Sequence, residues 1–135
     1  MKTKLTLAIF GISIALFLTN CETRKRFWQG EILYHNFCEN CHMEDGTGLR
    51  GLIPPLANAD FVKNDPVRMA CIIRYGMKGE VMVNDTIYSQ EMRGVPQLTD
   101  FEITNVINYI NQAWGNDYGY VKFEKVKKAL EACEK

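Results

Sequence analysis

The chain has 135 residues, a length that fits one small domain, and its 16 basic and 16 acidic residues balance to a formal net charge of zero. This balance excludes the strongly basic surface by which nucleic-acid-binding domains are recognised. The sequence contains no internal repeat and no low-complexity tract, which excludes solenoid and other repeat architectures.

The first 20 residues differ from the rest of the chain. Two lysines precede the uncharged run LTLAIFGISIALFLTN, and Cys21 follows it directly. This pattern predicts a secretory signal peptide over residues 1–20, with a retained N-terminal anchor helix as the alternative. The residues LTN before Cys21 resemble a bacterial lipoprotein cleavage site, which implies that Cys21 is lipidated. We therefore expect a membrane-anchored lipoprotein on the extracytoplasmic (periplasmic) side, with a linker over 21–26 and one domain over 27–135.

Hydrophobic spacing predicts a first helix from about Arg26 to Met43. The segment EDGTGLRGLIPPL then combines three glycines with a Pro-Pro pair, a composition typical of a loop. Asp65 followed by Pro66 predicts the start of a second helix, because a capping residue precedes proline at the first helical position. We expect this helix to end at Gly76.

The second half of the chain also has helical patterning. Apolar and polar residues alternate on both sides of an Asn-Asp pair, which predicts a short two-stranded β-hairpin near residues 81–88. Thr99 and Glu102 have the spacing of a capping box, so a helix is expected from there to Gly115. A last helix is expected over about 121–133. The predicted fold class is mostly α, with at most one two-stranded ribbon.

The stretch FCENCH places Cys38 and Cys41 three positions apart, with His42 directly after. C-x-x-C-H is the attachment signature of c-type haem. Two thiols on one helix face reach both vinyl groups of one porphyrin edge, and the adjacent imidazole reaches the iron. A zinc site needs about four ligands, and the sequence lacks a second C-x-x-C or an H-x-x-x-H. A redox dithiol would require a βαβ context. We therefore predict one covalent haem c.

The second axial iron ligand must come from the opposite face of the haem. His35 lies on the same helix as His42 and cannot cross to that face, which disfavours two histidine ligands. Methionine is a soft haem ligand that raises the reduction potential. We favour Met92, in an irregular stretch before the capped helix, over Met77 and Met82. Met82 alternates with two valines, a pattern more typical of a core residue.

Cys71 and Cys133 are the cysteines that neither the motif nor the predicted lipidation site uses. An extracytoplasmic compartment permits disulfides, so we expect a bridge between them that joins the C-terminal tail to the middle of the domain. The alternative is a pair of buried, unpaired thiols that behave as small apolar side chains.

The order of these features resembles a class I (monohaem) cytochrome c over nearly all of the chain after residue 20. Gly30, Tyr34 and Cys38 match the family's spacing of glycine, aromatic residue and first haem cysteine. The resemblance implies the cytochrome c fold. It also implies that Gly30 allows a close helix crossing, and that Tyr34 packs on Val106 and Tyr109 of the capped helix.

Two further features bear on the resemblance. The stretch IPPL matches the family's P-x-L, which implies that the carbonyl of Pro54 accepts a hydrogen bond from Nδ1 of His42. The family's usual Met-Pro is Met92-Arg93 here, and the next proline is Pro96. The run from PPLANADF to LTDFEITNVINYI resembles a bacterial monohaem subgroup found beside or fused to dehydrogenases and oxidases.

An iron held by both His42 and Met92 has no open coordination position. We therefore expect electron transfer rather than enzymatic catalysis, through transient contacts with a dehydrogenase, an oxidase or a quinol-oxidising complex, and no nucleic-acid partner. One alternative is a dedicated cytochrome subunit of a membrane or periplasmic oxidoreductase. Another is a haem sensor or peroxidase without a firm Met92 bond. The expected apolar pocket wall comprises Leu52, Ile53, Leu56, Phe61, Ile73, Tyr75 and Trp114.

Overall fold

The computed structural model describes residues 27–133. The predicted signal peptide, the lipidation site Cys21 and the linker over 21–26 lie outside the described residues. The described part contains six α-helices and two two-stranded antiparallel sheets, so the mostly α prediction is confirmed. Within that part, no helix is both long and apolar enough to cross a membrane.

The first predicted helix is two helices in the structure, α1 (Trp28–Phe37) and α2 (Glu39–His42). The backbone leaves the helical region at Cys38, where φ is −121° and ψ is −36°. The amide of His42 nevertheless donates to the carbonyl of Cys38 at 2.9 Å, which keeps α2 attached to the end of α1. The interruption therefore falls at the first cysteine of the C-x-x-C-H motif.

The middle of the chain forms α3 (Asp60–Asn64) and α4 (Arg68–Tyr75). Helix α4 begins two residues after the predicted start, although Asp65 Oδ1 does accept a hydrogen bond from the amide of Arg68 at 3.0 Å. The helix ends where predicted, because Gly76 adopts a positive φ of 83°. Residues 76 and 77 then leave the helix as a strand.

The predicted hairpin is present as β2 (Val81–Val83) paired with β3 (Thr86–Tyr88). Its two turn residues, Asn84 and Asp85, both have positive φ values of 49° and 59°. Two consecutive positive φ angles define the type I′ turns that match the twist of a tight hairpin. Asn and Asp tolerate this backbone conformation better than other residues with a side chain.

A second ribbon joins β1 (Gly76–Met77) to β4 (Met92–Arg93), with Met77 directly opposite Met92. The expectation of at most one ribbon was therefore wrong, and Met92 lies in a short strand rather than in an irregular stretch. Strands of two residues are too short to show the alternation by which a strand is recognised in a sequence.

Helix α5 (Asp100–Ile110) starts at the predicted capping box. The amide of Glu102 donates to Thr99 Oγ1 at 3.2 Å, and the amide of Thr99 donates to Glu102 Oε2 at 2.8 Å. The helix ends earlier than expected from Gly115, which follows a series of turns. These turns carry Trp114 out of the helix, with a positive φ of 54°.

The last helix, α6 (Phe123–Ala132), packs against α4 and α5. Val126 is its fully buried side chain. Directly after the helix, Cys133 forms a disulfide with Cys71 of α4, 62 residues earlier in the chain, with an S–S distance of 2.04 Å. The C-terminal segment is therefore covalently linked to α4.

The main helix crossing brings α1 onto α5 at Gly30. A Cβ atom at position 30 would overlap the backbone carbonyl of Asn105 and lie 2.7 Å from Cβ of Tyr109. One turn further on, the fully buried ring of Tyr34 lies 5.4 Å from the ring of Tyr109 and 5.0 Å from that of Trp114. Val106 is also fully buried in this core.

Candidate haem site

Helix α2 and the residue that precedes it, Cys38, present two thiols and an imidazole. Neither Cys38 nor Cys41 is in a disulfide; Cys38 is half-buried and Cys41 is exposed. His42 is buried. The helix stops at the next residue, Met43, whose carbonyl accepts a hydrogen bond from the hydroxyl of Tyr34. Tyr34 therefore links the helix crossing to the end of the motif.

The imidazole of His42 is oriented by the loop that follows it. Its Nδ1 atom lies 3.1 Å from the carbonyl oxygen of Pro54. A backbone carbonyl can only accept, so Nδ1 carries the proton and Nε2 keeps its lone pair. Burial lowers the pKa of His42, and the hydrogen bond to Pro54 partly opposes this effect. The neutral imidazole with a free Nε2 is the form that binds a metal ion.

Gly48 allows the loop to bring Pro54 back to the histidine. Its φ is +65°, and a Cβ atom there would overlap the carbonyl of Ile53 and lie 2.6 Å from that of Pro54. The amide of Gly48 donates to the carbonyl of His42 at 3.0 Å. The loop is closed by paired backbone hydrogen bonds between Leu49 and Ile53, at 3.0 and 2.8 Å. The backbone conformation of the loop thus determines where the carbonyl of Pro54 lies.

An apolar cleft opens beside this imidazole. Cys38 and His42 both line it, and so do Met77 and Met92 of the β1–β4 ribbon. The remaining lining residues are apolar: Pro54, Pro55, Leu56, Phe61, Val62, Met69, Ile72, Ile73, Val81, Val83 and Ile110. Such a wall excludes water and disfavours the addition of charge inside the cleft.

Of the seven residues expected to form the apolar wall, three line the cleft and four do not. Leu56, Phe61 and Ile73 line the cleft. The other expected wall residues do not line it: Leu52 and Tyr75 are exposed, Ile53 belongs to the Pro54 loop, and Trp114 packs on Tyr34. Apolarity alone therefore did not distinguish cleft residues from surface and core residues.

Some of the methionines line the cleft and others lie elsewhere. Met69, Met77 and Met92 line the cleft. Met82 is 59% exposed on the outer face of the hairpin, so its interpretation as a core residue was wrong. His35 does not line the cleft; its Nδ1 atom pairs with Glu39 on the protein surface. Apart from Cys38 and His42, the side chains with a potential metal-donor atom that line the cleft are these three methionines.

The alternative chemistries of the motif fit the site poorly. Burial and, to a smaller extent, the neighbouring Cys41 together raise the pKa of Cys38 to about 12, whereas a redox-active dithiol requires a lowered cysteine pKa. Among residues 27–133, no group of three or more His, Cys, Asp or Glu side chains is arranged to hold a metal ion. A closed zinc site would need such a group.

One residue that supports the cleft gave no signal in the sequence. Asn116 is buried, and its Nδ2 atom donates to the carbonyls of Leu56 at 3.0 Å and Ile110 at 2.7 Å. Its Oδ1 atom accepts from the amide of Asn58 at 2.8 Å. Asn116 therefore holds the loop after Pro54 against the end of α5. In the sequence it stands among turn-forming residues, where an asparagine has no special meaning.

Comparison with known proteins identifies the family. A family model for cytochrome c matches residues 28–114. The chain is 35% identical over 83 residues to cytochrome c-552 of Thermus thermophilus. This alignment covers 58% of this chain and 63% of that protein. It is 36% identical over 90 residues to the cytochrome c subunit of the alcohol dehydrogenase (quinone) of Gluconobacter oxydans, covering 64% of this chain and 18% of that protein. The chain therefore belongs to the cytochrome c family.

Membership of this family establishes both the fold and the cofactor. The fold is that of a class I cytochrome c, and the cofactor is covalently bound haem c. The chain spans less than two thirds of the length of these relatives. Two uncommitted thiols, an imidazole with a free Nε2 atom and an apolar cleft with thioether donors form a donor set that fits this cofactor.

Proposed function

We propose that the protein transfers electrons through one haem c attached to Cys38 and Cys41, with His42 and Met92 as axial iron ligands. The observation that carries the proposal is the buried imidazole of His42, which faces an apolar cleft while the carbonyl of Pro54 holds its Nδ1 atom. When bound, haem supplies a one-electron couple between ferric and ferrous iron.

The surrounding residues adapt the site to this role. The hydrogen bond from His42 Nδ1 to Pro54 fixes the ring orientation and makes Nε2 a stronger donor. The thioether of Met92 is a soft donor that favours ferrous iron. The apolar lining excludes water and disfavours the extra positive charge of the oxidised state. These features together favour a high reduction potential and leave no coordination position for a substrate.

Met92 is preferred to the other cleft methionines for two reasons. It immediately precedes the segment that leads into α5, which corresponds to the place of the distal methionine in the resemblance to class I cytochromes c. Met69 lies inside α4, where the helix restricts its reach. Met77 is the main rival, because it lies directly opposite Met92 in the ribbon.

An absorption spectrum of the ferric protein tests the ligand assignment. Met92→Leu should abolish the methionine–iron charge-transfer band, and the matched Met77→Leu should retain it. Both substitutions conserve apolar volume, so neither should unfold the cleft. Retention of the band in Met92→Leu with its loss in Met77→Leu would transfer the assignment to Met77.

The proposed location is the extracytoplasmic side of a membrane, with Cys21 as the lipid-bearing residue. Support comes from the signal-like residues 1–20 and from the Cys71–Cys133 disulfide, which suits an oxidising compartment. Residues 21–26 would connect the lipid to a domain that meets redox proteins at the membrane surface. Metabolic labelling with a radioactive fatty acid, compared between wild type and Cys21→Ala, tests this location.

A second candidate function is that of a dedicated cytochrome subunit in an oxidoreductase complex. It is favoured by the relative in Gluconobacter oxydans, which is named as a cytochrome c subunit of an alcohol dehydrogenase (quinone). Stable co-purification with a catalytic subunit from the native membrane would support this candidate. Recovery of the detergent-extracted protein alone would support the independent carrier.

A further inference from the structure

Arg74, in the last turn of α4, contacts the middle of the segment between the Met92 strand and α5, and also the first residue of α5. Its Nη1 atom donates to the carbonyl of Pro96 at 3.2 Å. Its Nη2 atom donates to Oδ1 of Asp100, the first residue of α5, at 2.6 Å. One rigid guanidinium therefore joins the end of α4 to the segment that follows Met92.

Backbone contacts bring the same two parts of the chain together. The amide of Val95 donates to the carbonyl of Ile73 at 2.7 Å. At Gly94, a Cβ atom would lie 2.6 Å from the carbonyl oxygen of Arg74 and 2.7 Å from the amide nitrogen of Gly76. At Gly76, a Cβ atom would overlap the carbonyl of Met92. The chain after Met92 thus lies directly on the backbone of the α4 terminus.

We propose that Arg74 is a positioning residue for Met92. By binding Pro96 and Asp100, it holds the segment after Met92 against α4 and so keeps the Met92 thioether in the cleft. This inference rests on the proposed function, in which Met92 is an iron ligand. The Arg74 side chain is 19% exposed, and that of Asp100 is 40% exposed. The pair is therefore only partly screened by water.

An ion pair beside the β1–β4 ribbon provides an internal control. Lys78 and Glu91 follow and precede the paired methionines, and their side chains form an ion pair at 3.2 Å. Their side chains are 81% and 54% exposed. An exposed pair of this kind contributes little to stability. Lys78→Met removes one positive charge beside the ribbon, as Arg74→Met removes one from the end of α4, but it breaks only this exposed ion pair.

Competition by free imidazole measures how firmly Met92 is held. Imidazole binds the iron only when Met92 leaves it, so weaker retention of Met92 appears as tighter imidazole binding. We expect Arg74→Met and Asp100→Ala each to tighten imidazole binding to the haem-loaded ferric protein about fivefold, equivalent to about 1 kcal/mol. Lys78→Met should change it by less than about twofold, because its ion pair is exposed.

Two readouts separate positioning from simple charge removal. Loss of a positive charge lowers a reduction potential and loss of a negative charge raises it, so Arg74→Met and Asp100→Ala should shift the potential in opposite directions through charge alone. Positioning predicts tighter imidazole binding in both variants. Arg74→Lys keeps the charge but not the two-pronged donor geometry, and it should still tighten imidazole binding.

The experiment distinguishes failure of this inference from failure of the ligand assignment. If Met92→Leu retains the methionine–iron band, Met92 is not the ligand and the proposed ligation fails. If Met92→Leu loses the band while Arg74→Met and Asp100→Ala bind imidazole as Lys78→Met does, the positioning role of Arg74 is overturned and the ligation stands. Opposite changes of imidazole affinity in the two variants would also overturn it. Arg74→Lys provides the result if Arg74→Met fails to fold.

Discussion

The Nδ1 atom of His42 lies 3.1 Å from the carbonyl oxygen of Pro54, a residue 12 positions later in the chain. Because the acceptor is a backbone atom, substitution of the Pro54 side chain does not remove it. The conformation of the loop between the two residues determines the contact. Gly48 controls that conformation, since its φ is positive and its Cα faces the carbonyls of Ile53 and Pro54.

Gly48→Ala should therefore displace the Pro54 carbonyl. A Cβ atom there meets two carbonyl oxygens in addition to the strain of a positive φ. We therefore expect the free energy of unfolding to fall by more than about 1 kcal/mol, and the hydrogen bond to His42 to weaken. The matched control is Gly51→Ala, at a φ of +74° with no atom within 4 Å of the added Cβ. Urea unfolding of both variants measures the difference. Equal losses would mean that the contact with Ile53 and Pro54 has no energetic consequence.

Gly30→Ala should separate α1 from α5. Alanine gains about 1 kcal/mol over glycine in helix propensity, but overlap with the Asn105 carbonyl adds an overpacking cost of about 1–3 kcal/mol. Tyr34, one turn away on α1, packs its ring on Tyr109, so near-ultraviolet circular dichroism should also change. Asn36→Ala, at an exposed site of the same helix, is the control. A stability gain in Gly30→Ala would contradict the close crossing.

The Cys71–Cys133 disulfide should contribute about 4 kcal/mol to the free energy of unfolding, from the loop-closure entropy that a 62-residue separation removes from the unfolded chain. The double variant Cys71→Ser with Cys133→Ser should therefore unfold at lower urea concentration. A dithiol reductant should bring the wild type to the same midpoint and leave the double variant unchanged. An identical wild-type midpoint with and without reductant would show that the bridge does not stabilise the fold.

The capping box of α5 should make stability depend on pH in the acidic range. Hydrogen bonds from the Thr99 amide and hydroxyl lower the pKa of Glu102. A carboxylate with a lowered folded-state pKa stabilises the protein fully above its unfolded pKa of about 4.3, and this contribution is lost as the pH falls through the folded value. Wild type should therefore exceed Glu102→Gln in stability at about pH 6.5 and approach it near pH 3. A difference that is constant with pH would contradict the assignment.

Local signals predicted the parts of the structure that neighbouring residues determine. The capping box of Thr99 and Glu102, the turn of the hairpin and the end of α4 at Gly76 each depend on a few consecutive residues, and each is present. The C-x-x-C-H motif likewise specified its cofactor, because the chemistry is contained in five consecutive residues and the family assignment confirms haem c.

Features that depend on distant contacts were missed. The pairing of Met77 with Met92 joins strands too short to leave a pattern, and the role of Asn116 depends on carbonyls far away in the chain. The exposure of Met82 was also missed, because alternation shows which residues share a strand face but not which face is buried. Residues that line the cleft could therefore be distinguished from core and surface residues only in the folded structure.

The most direct test of the central claim is addition of carbon monoxide to the reduced, haem-loaded protein, followed by optical spectroscopy. A six-coordinate iron held by His42 and Met92 should show no spectral change, whereas Met92→Leu should bind carbon monoxide because it opens the distal position. The electron-transfer proposal predicts both results. Rapid carbon monoxide binding by the wild type would contradict it and would indicate a sensor or peroxidase with an open iron site.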